Sequence, residues 1–146
     1  MNISRALDAV AAQYDPNMFL EGDCHTLAVA LFETGGHKGK LVACLRKTID
    51  ERGSVYSTGY SHMVYECPEG MCWDIGGQEA DVRWEDQFPD LDSPDKWGMT
   101  TSLEWVEVPY EGHQMWLMEH YGCIDNMLGN YVKQIIRESS MTHGCH

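Results

Sequence analysis

The chain has 146 residues, and 10 Lys and Arg stand against 23 Asp and Glu, which gives a formal net charge of −13. This length is typical of one domain, and a hydrophobic content of 43% is enough to form a core, so a disordered chain is not expected. The acid excess disfavours binding to nucleic acid or to an anionic membrane surface. No apolar run reaches the ~20 residues of a membrane span, and no secretory signal is visible, so we expect a cytoplasmic protein with reduced cysteines.

Two segments near the start have the spacing of helices. Apolar residues recur every three or four positions through residues 3–13, and again through residues 24–34. Gly22 and Asp23 open the second segment, and two glycines at 35 and 36 are suited to a left-handed helix end. The sequence therefore predicts a helix that begins at Cys24.

The middle of the chain alternates like β-strands, and the end returns to helical spacing. A turn at residues 68–70 predicts a hairpin between two of the strands. Residues 79–96 are acidic and contain two prolines, which favours a surface loop with one helical turn. Strands are predicted at 40–48, 54–60, 61–67, 71–75 and 103–108, and two helices, broken near Gly122, at 111–139. The whole chain, 1–146, is predicted to form a single α+β domain.

Cys24 lies where a helix is predicted to start, and this placement favours a reactive thiol. The first N–H groups of a helix have no intrahelical partner and the helix dipole is positive there, so the thiolate is stabilised and the thiol pKa falls. The neighbouring His25 is displaced by about 100° around the helix and is expected on the surface rather than as a base.

His62 and Asp74 are predicted to meet across the hairpin. If the hairpin is centred on Pro68, the two residues are directly opposite each other on one face, with their Cβ atoms about 5 Å apart. The carboxylate would then orient the imidazole, whose other nitrogen would accept the proton of Cys24. The sequence thus predicts a site with Cys24 as nucleophile, His62 as general base and Asp74 as the orienting acid.

This order of residues resembles the papain-like superfamily, and within it the transglutaminase-like and arylamine N-acetyltransferase-like branch. Two stretches carry the resemblance, which spans about residues 20–78: GDCHTLA at 22–28, similar to a nucleophile helix, and WDIGG at 73–77, similar to the aspartate strand. The resemblance implies an α+β fold of papain-like architecture, in which the N-terminal cysteine helix packs on an antiparallel sheet and further helices follow at the C-terminus.

The oxyanion donor stays open. Papain-type peptidases place a glutamine a few residues before the cysteine, but this chain has Met18 in that region. The nearby amides belong to Asn17 and Gln13, and the backbone N–H of Cys24 is a further donor.

The predicted chemistry is thiol-dependent acyl transfer that requires no cofactor. Hydrolysis of an amide or isopeptide bond in a protein or peptide substrate, as in a peptidase, amidase or deamidase, is favoured over transglutaminase-like transfer, because an acceptor site needs more structure than a small chain offers. The alternative is a non-catalytic acidic protein that retains the fold and inhibits a partner, including one that imitates nucleic acid.

A zinc site is a second chemical hypothesis. Cys67 and Cys72 are four residues apart, at the wide end of a zinc knuckle, and the tail offers His143, Cys145 and His146. Because the spacing is wide, we interpret the first two instead as thiols that face each other across the hairpin, and predict no metal site.

Overall fold

A computed structural model describes residues 1–144, with side chains described as far as residue 140. It is an α+β structure, as predicted from the sequence. The helices are α1 (Ile3–Ala11), α2 (Met18–Glu21), α3 (Cys24–Thr34), α4 (Ala80–Glu85), α5 (His113–His120) and α6 (Asn126–Gly144). The strands are β1 (Lys40–Ile49), β2 (Val55–Glu66), β3 (Cys72–Asp74), β4 (Gly77–Gln78) and β5 (Thr100–Val108).

Helix α3 is the centre of the main core. Most of its residues are buried, including Leu27, Leu31 and Phe32, because it is enclosed by β2 on one side and by α6 on the other. Helix α1 turns Leu7 and Val10 toward the same core and also contacts α6. This enclosure holds the first turn of α3 against the sheet.

The five strands form one antiparallel sheet in the order β4-β3-β2-β1-β5. Met63 and Tyr65 of β2 face the main core, whereas Val64 between them joins a smaller cluster with Ala80 of α4. Successive side chains of a strand point to opposite faces, so α4 covers the face that α3 leaves free.

The structure corrects several predicted elements. The strands predicted at 54–60 and 61–67 are one strand, β2, which continues through a β-bulge at Ser61. The strand predicted at 71–75 is shorter, because the chain turns after Asp74 to form β4. Residues 79–96 contain the single short helix α4, in agreement with the predicted helical turn.

The two hairpin cysteines do not face each other. Cys72 is paired with Glu66 and belongs to the smaller cluster, whereas Cys67 lies in the main core. The prediction is wrong because residues that face each other in this hairpin are both odd-numbered or both even-numbered, as in Tyr65 with Trp73 and Glu66 with Cys72. One of the two cysteines is odd-numbered and the other even-numbered, so strand alternation sends their thiols to opposite faces.

Candidate active site

The thiol of Cys24 lies at the first turn of α3, and the side chain is 5% exposed. Within residues 1–144 the backbone N–H groups of Cys24 and His25 have no hydrogen-bond acceptor, and the side chain of Asp23 does not cap the helix. Two N–H donors and the positive end of the helix dipole are therefore available beside the sulfur.

A tyrosine that the sequence analysis did not single out contacts the thiol. The hydroxyl of Tyr60 lies 3.0 Å from Cys24 Sγ. Tyr60 is paired with Leu45 and His62 with Cys44, so Ser61 is the extra residue of the bulge. In a regular strand residues two apart share a face, but here Tyr60 packs against the main core and His62 against α4, and both side chains come close to Cys24.

His62 and Asp74 are joined by a hydrogen bond of 3.0 Å between His62 Nε2 and Asp74 Oδ2. The predicted register is wrong in detail: Tyr65 pairs with Trp73, so Asp74 extends opposite Val64, two residues from His62. Such diagonal neighbours share a face of the sheet and lie within reach of long side chains. The bond therefore forms although Asp74 lies opposite a residue two positions from the predicted one, because a shift of two residues keeps both side chains on the same face.

Asp74 is held by further donors on its other oxygen. Oδ1 accepts the backbone N–H of Gly76 at 2.8 Å and Nη2 of Arg83 in α4, also at 2.8 Å. A Cβ at position 76 would lie 2.5 Å from the Arg83 guanidinium, so only glycine leaves room for this approach. Burial opposes ionisation, but the bonds from His62, Arg83 and Gly76 hold the pKa of Asp74 below its usual range.

The imidazole of His62 is fully buried and fixed in orientation. Its ring is stacked on Trp84 of α4, with centroids 4.2 Å apart and planes inclined by 11°. While Nε2 is bonded to Asp74, Nδ1 has no hydrogen-bond partner among the described residues. The ring thus keeps one nitrogen free of the carboxylate, and the ring lies close enough to Cys24 for the two residues to shift each other's pKa.

Cys24 and His62 shift each other's ionisation. Burial raises the pKa of Cys24, but His25, His62 and Tyr60 together outweigh it and lower this pKa from 9.0 to about 6. Burial lowers the pKa of His62, whereas Asp74 and Cys24 raise it from 6.5 to about 9. Near neutral pH the arrangement therefore favours a thiolate beside an imidazolium.

His25 is not on the surface as predicted. It is only 2% exposed and its ring lies against Tyr121, with centroids 5.2 Å apart. The side chain is displaced by about 100° around the helix from Cys24, but α5 and the segment after it cover that side of α3. The proximity of His25 contributes to the lowered pKa of Cys24, yet no carboxylate among the described residues is bonded to its ring.

Aromatic rings surround the thiol on its solvent side. Tyr121 lies against both His25 and Tyr60, and Trp116 contacts Tyr60 from α5. Tyr121 is 41% exposed, so it is the outermost of these rings.

The two predicted oxyanion amides are not brought to the thiol. Gln13 and Asn17 are both exposed, in the segment between α1 and α2, and no contact joins either side chain to Cys24. The backbone N–H groups at the start of α3 are the donors that the structure places beside the sulfur.

The described residues contain no group of three or more His, Cys, Asp or Glu side chains suited to hold a metal ion. The zinc hypothesis also involves residues of the tail: Cys145 and His146 lie outside the described residues, and so does the side chain of His143. Within residues 1–144 no helix is both long and apolar enough to cross a bilayer.

Comparisons with known proteins found no match to any family model, to any curated protein or to any solved structure. Among the residues that the sequence analysis missed, Arg83 had a signal, as the only basic residue between Glu79 and Asp95. Tyr60 and Trp84 had none, because a bulge and the docking of α4 decide their positions.

Proposed function

We propose that this chain is a thiol-dependent acyl-transfer enzyme that hydrolyses an amide or isopeptide bond of a peptide or protein. One observation carries the proposal: the His62 ring is bonded to a buried carboxylate through Nε2 and leaves Nδ1 unpartnered beside a thiol at a helix start. Nucleophile, base and orienting acid are then drawn from α3, β2 and β3.

In the first half of the reaction His62 holds the proton of Cys24, and the thiolate attacks the substrate carbonyl carbon. A C–S bond forms, and the carbonyl oxygen becomes an oxyanion that accepts hydrogen bonds from the Cys24 and His25 N–H groups. The imidazolium of His62 donates its proton to the leaving amine as the C–N bond breaks, which leaves a thioester on Cys24.

In the second half His62 accepts a proton from water, and the resulting hydroxide attacks the thioester. The C–S bond breaks, the acid is released, and the proton returns to the Cys24–His62 pair. Asp74 remains ionised throughout and holds the ring in one orientation, because Arg83 and Gly76 stabilise its charge.

A papain-like architecture and a relationship to the transglutaminase-like branch are part of the proposal. The order of the three residues along the chain and their placement on a helix and two neighbouring strands support it. A reducing, cytosolic setting suits the mechanism because it keeps Cys24 as a thiol.

Formation of an acyl-enzyme tests the proposal. The chain is mixed with p-nitrophenyl acetate, and intact-mass and peptide mapping identify the acetylated residue. We expect a burst of nitrophenolate and an acetyl group on Cys24, both lost in Cys24→Ser and in His62→Asn. Cys123→Ser, which removes an exposed thiol, serves as the control and should retain both. Acetylation of Cys123 alone, or none, would contradict the proposal.

One observation favours the alternative, an inhibitory protein without catalysis: the thiol is 5% exposed behind an aromatic cover. The net charge of −13 then serves to bind a basic partner. The two functions separate in the same experiment, because an inhibitor with this fold has no reason to form an acyl-enzyme that depends on His62.

A further inference from the structure

A cavity of about 90 Å³ lies beside α3, on the side of the helix away from the sheet. The first turns of three helices line it: His25 and Thr26 of α3, His113 and Gln114 of α5, and Asn126 of α6. The Thr26 and His113 N–H groups already donate to the Asp23 and Tyr110 carbonyls, at 3.1 Å each. The N–H groups of Gln114 and Asn126 have no acceptor among the described residues, so these two donors remain at the positive ends of α5 and α6. The volume is enough for a small polar group or several water molecules.

The buried ring of His25 forms part of the cavity wall. His25 is 2% exposed, and neither ring nitrogen has a hydrogen-bond partner among the described residues. The ring interacts with the Cys24 thiol, whose pKa it lowers, but neither nitrogen has a regular hydrogen bond, which is unfavourable for a buried imidazole. A ligand in the cavity offers the ring a partner. This ring distinguishes the cavity from an ordinary gap between helices.

Of the fixed charges on the cavity wall, Lys133 and Glu33 form an ion pair, whereas Asp125 accepts a neutral N–H at a helix start. Lys133 Nζ lies 3.0 Å from Glu33 Oε1, and Glu33 also accepts the hydroxyl of Tyr110. Asp125 Oδ1 accepts the Leu128 N–H at 2.9 Å at the start of α6.

His113, also on the wall, donates from Nδ1 to the Tyr110 carbonyl, 2.7 Å away, because a carbonyl only accepts. The wall therefore offers N–H donors and carboxylate acceptors together, and its negative charge without a cationic partner, Asp125, lies at the positive start of α6.

We propose that this cavity binds an uncharged primary carboxamide, such as the side chain of asparagine or glutamine. Its carbonyl oxygen accepts from N–H groups at the helix starts, and its NH₂ group donates to an imidazole nitrogen or to a wall carboxylate. A carboxylate ligand would instead meet Glu33 and Asp125, and an ammonium would meet the three helix starts. The match is to a group that is neutral and both donates and accepts.

The cavity adjoins the thiol through His25, which follows Cys24 directly. In the proposed hydrolysis the carboxamide side chain would flank the bond that Cys24 attacks, so this assignment of a substrate class depends on the proposed function. Binding itself does not depend on catalysis and is measured without it.

The experiment uses the full chain carrying Cys24→Ser, with ¹³C-labelled histidine. Propionamide, propionate and propylammonium, three probes of equal length, are titrated while the ring resonances of His25 are followed by NMR. We expect saturable shifts of His25 with propionamide, and dissociation constants at least about tenfold higher for both charged probes.

Two matched variants of α6 locate the binding. Asn130→Leu changes an amide that lines the cavity, and Gln134→Leu changes an amide one turn further along, outside it; both residues are exposed. We expect Asn130→Leu to weaken propionamide binding at least about fivefold and Gln134→Leu to leave it unchanged.

Three results would overturn the inference: no saturable shift, tighter binding of a charged probe, or equal effects of the two leucine variants. Failure here is distinguishable from failure of the proposed function. If the acyl-enzyme forms normally on Cys24 but propionamide does not bind, only the assignment of the cavity is refuted. If propionamide binds but no acyl-enzyme forms, only the proposed chemistry is refuted.

Discussion

Replacing His62 by asparagine should change the pH at which Cys24 becomes reactive. In the native chain the thiol has a pKa of about 6, and the proximity and charge of His62 contribute to lowering it. Asparagine keeps a polar partner for Asp74 but carries no charge, while burial of Cys24 persists. We therefore expect the pH midpoint of Cys24 alkylation by iodoacetamide to move from near 6 toward the ordinary 9.0.

The size of the rate change at a single pH is smaller than the midpoint shift suggests. At pH 7 a thiol of pKa about 6 is roughly nine-tenths ionised, and one at 9.0 roughly one-hundredth, a fall of about 90-fold. A thiolate of higher pKa is intrinsically more nucleophilic, by roughly 15- to 30-fold over this range at a Brønsted slope of about 0.4–0.5. The rate at pH 7 should thus fall only about three- to sixfold, so the full pH profile is required.

Other residues of the chain provide the controls. Cys123 is exposed and serves as the reference thiol, whereas burial raises the pKa of Cys44 and Cys72 to about 12 and keeps both unreactive. His37→Asn makes the same substitution at an exposed histidine and should leave the Cys24 profile unchanged. Two results would refute the thiolate–imidazolium pair. In one, the native alkylation midpoint of Cys24 is close to that of Cys123; in the other, His62→Asn does not move the Cys24 midpoint.

Three further predictions concern the surroundings of the pair. Asp74→Asn should lower the free energy of unfolding in urea at pH 7 by about 1–3 kcal/mol, and the difference should shrink in acid. The reason is that the pKa of Asp74 is lower in the folded chain than in the unfolded chain, so the ionised carboxylate stabilises the fold above the unfolded pKa. This stabilisation is lost as the pH falls through the folded pKa, and a difference in unfolding free energy that did not depend on pH would contradict the prediction. Tyr60→Phe should raise the alkylation midpoint of Cys24 by less than His62→Asn does, since it removes only the 3.0 Å contact with the sulfur, and an unchanged midpoint would show that the hydroxyl does not act on the thiol. Gly39→Ala should destabilise the chain by at least about 1 kcal/mol, because φ is +90° there and a Cβ would lie 2.3 Å from the Glu66 carbonyl oxygen; urea unfolding without loss would contradict that geometry.

The elements near the thiol were predictable because their signals are local. Helix α3 begins at Cys24 and ends at Thr34, as predicted, since apolar periodicity and terminal glycines depend only on neighbouring residues. The strands near His62 were predictable as strands for the same reason. It was not predictable whether they form one strand or two, because a β-bulge depends on the pairing partner and not on the strand alone.

The register of the hairpin shows the limit of spacing arguments. Centring the turn on Pro68 placed Asp74 opposite His62, whereas in the structure Asp74 extends opposite Val64, two residues away. A shift of two residues keeps both side chains on one face, so the 3.0 Å bond still forms. Cys67 and Cys72 lie on opposite faces in either register, because one is odd-numbered and the other even-numbered.

By itself, the sequence determined the α+β class, the helix that begins at Cys24 and the hairpin that carries His62 and Asp74, since each rests on periodicity and turn residues within a short window. Only the tertiary structure decided that His25 is buried, that Arg83 and Trp84 of α4 hold Asp74 and His62, and that Gln13 and Asn17 stay away from the thiol. These outcomes depend on which distant elements pack together, and packing is a sum of many small contacts between residues far apart in the chain that no local pattern records.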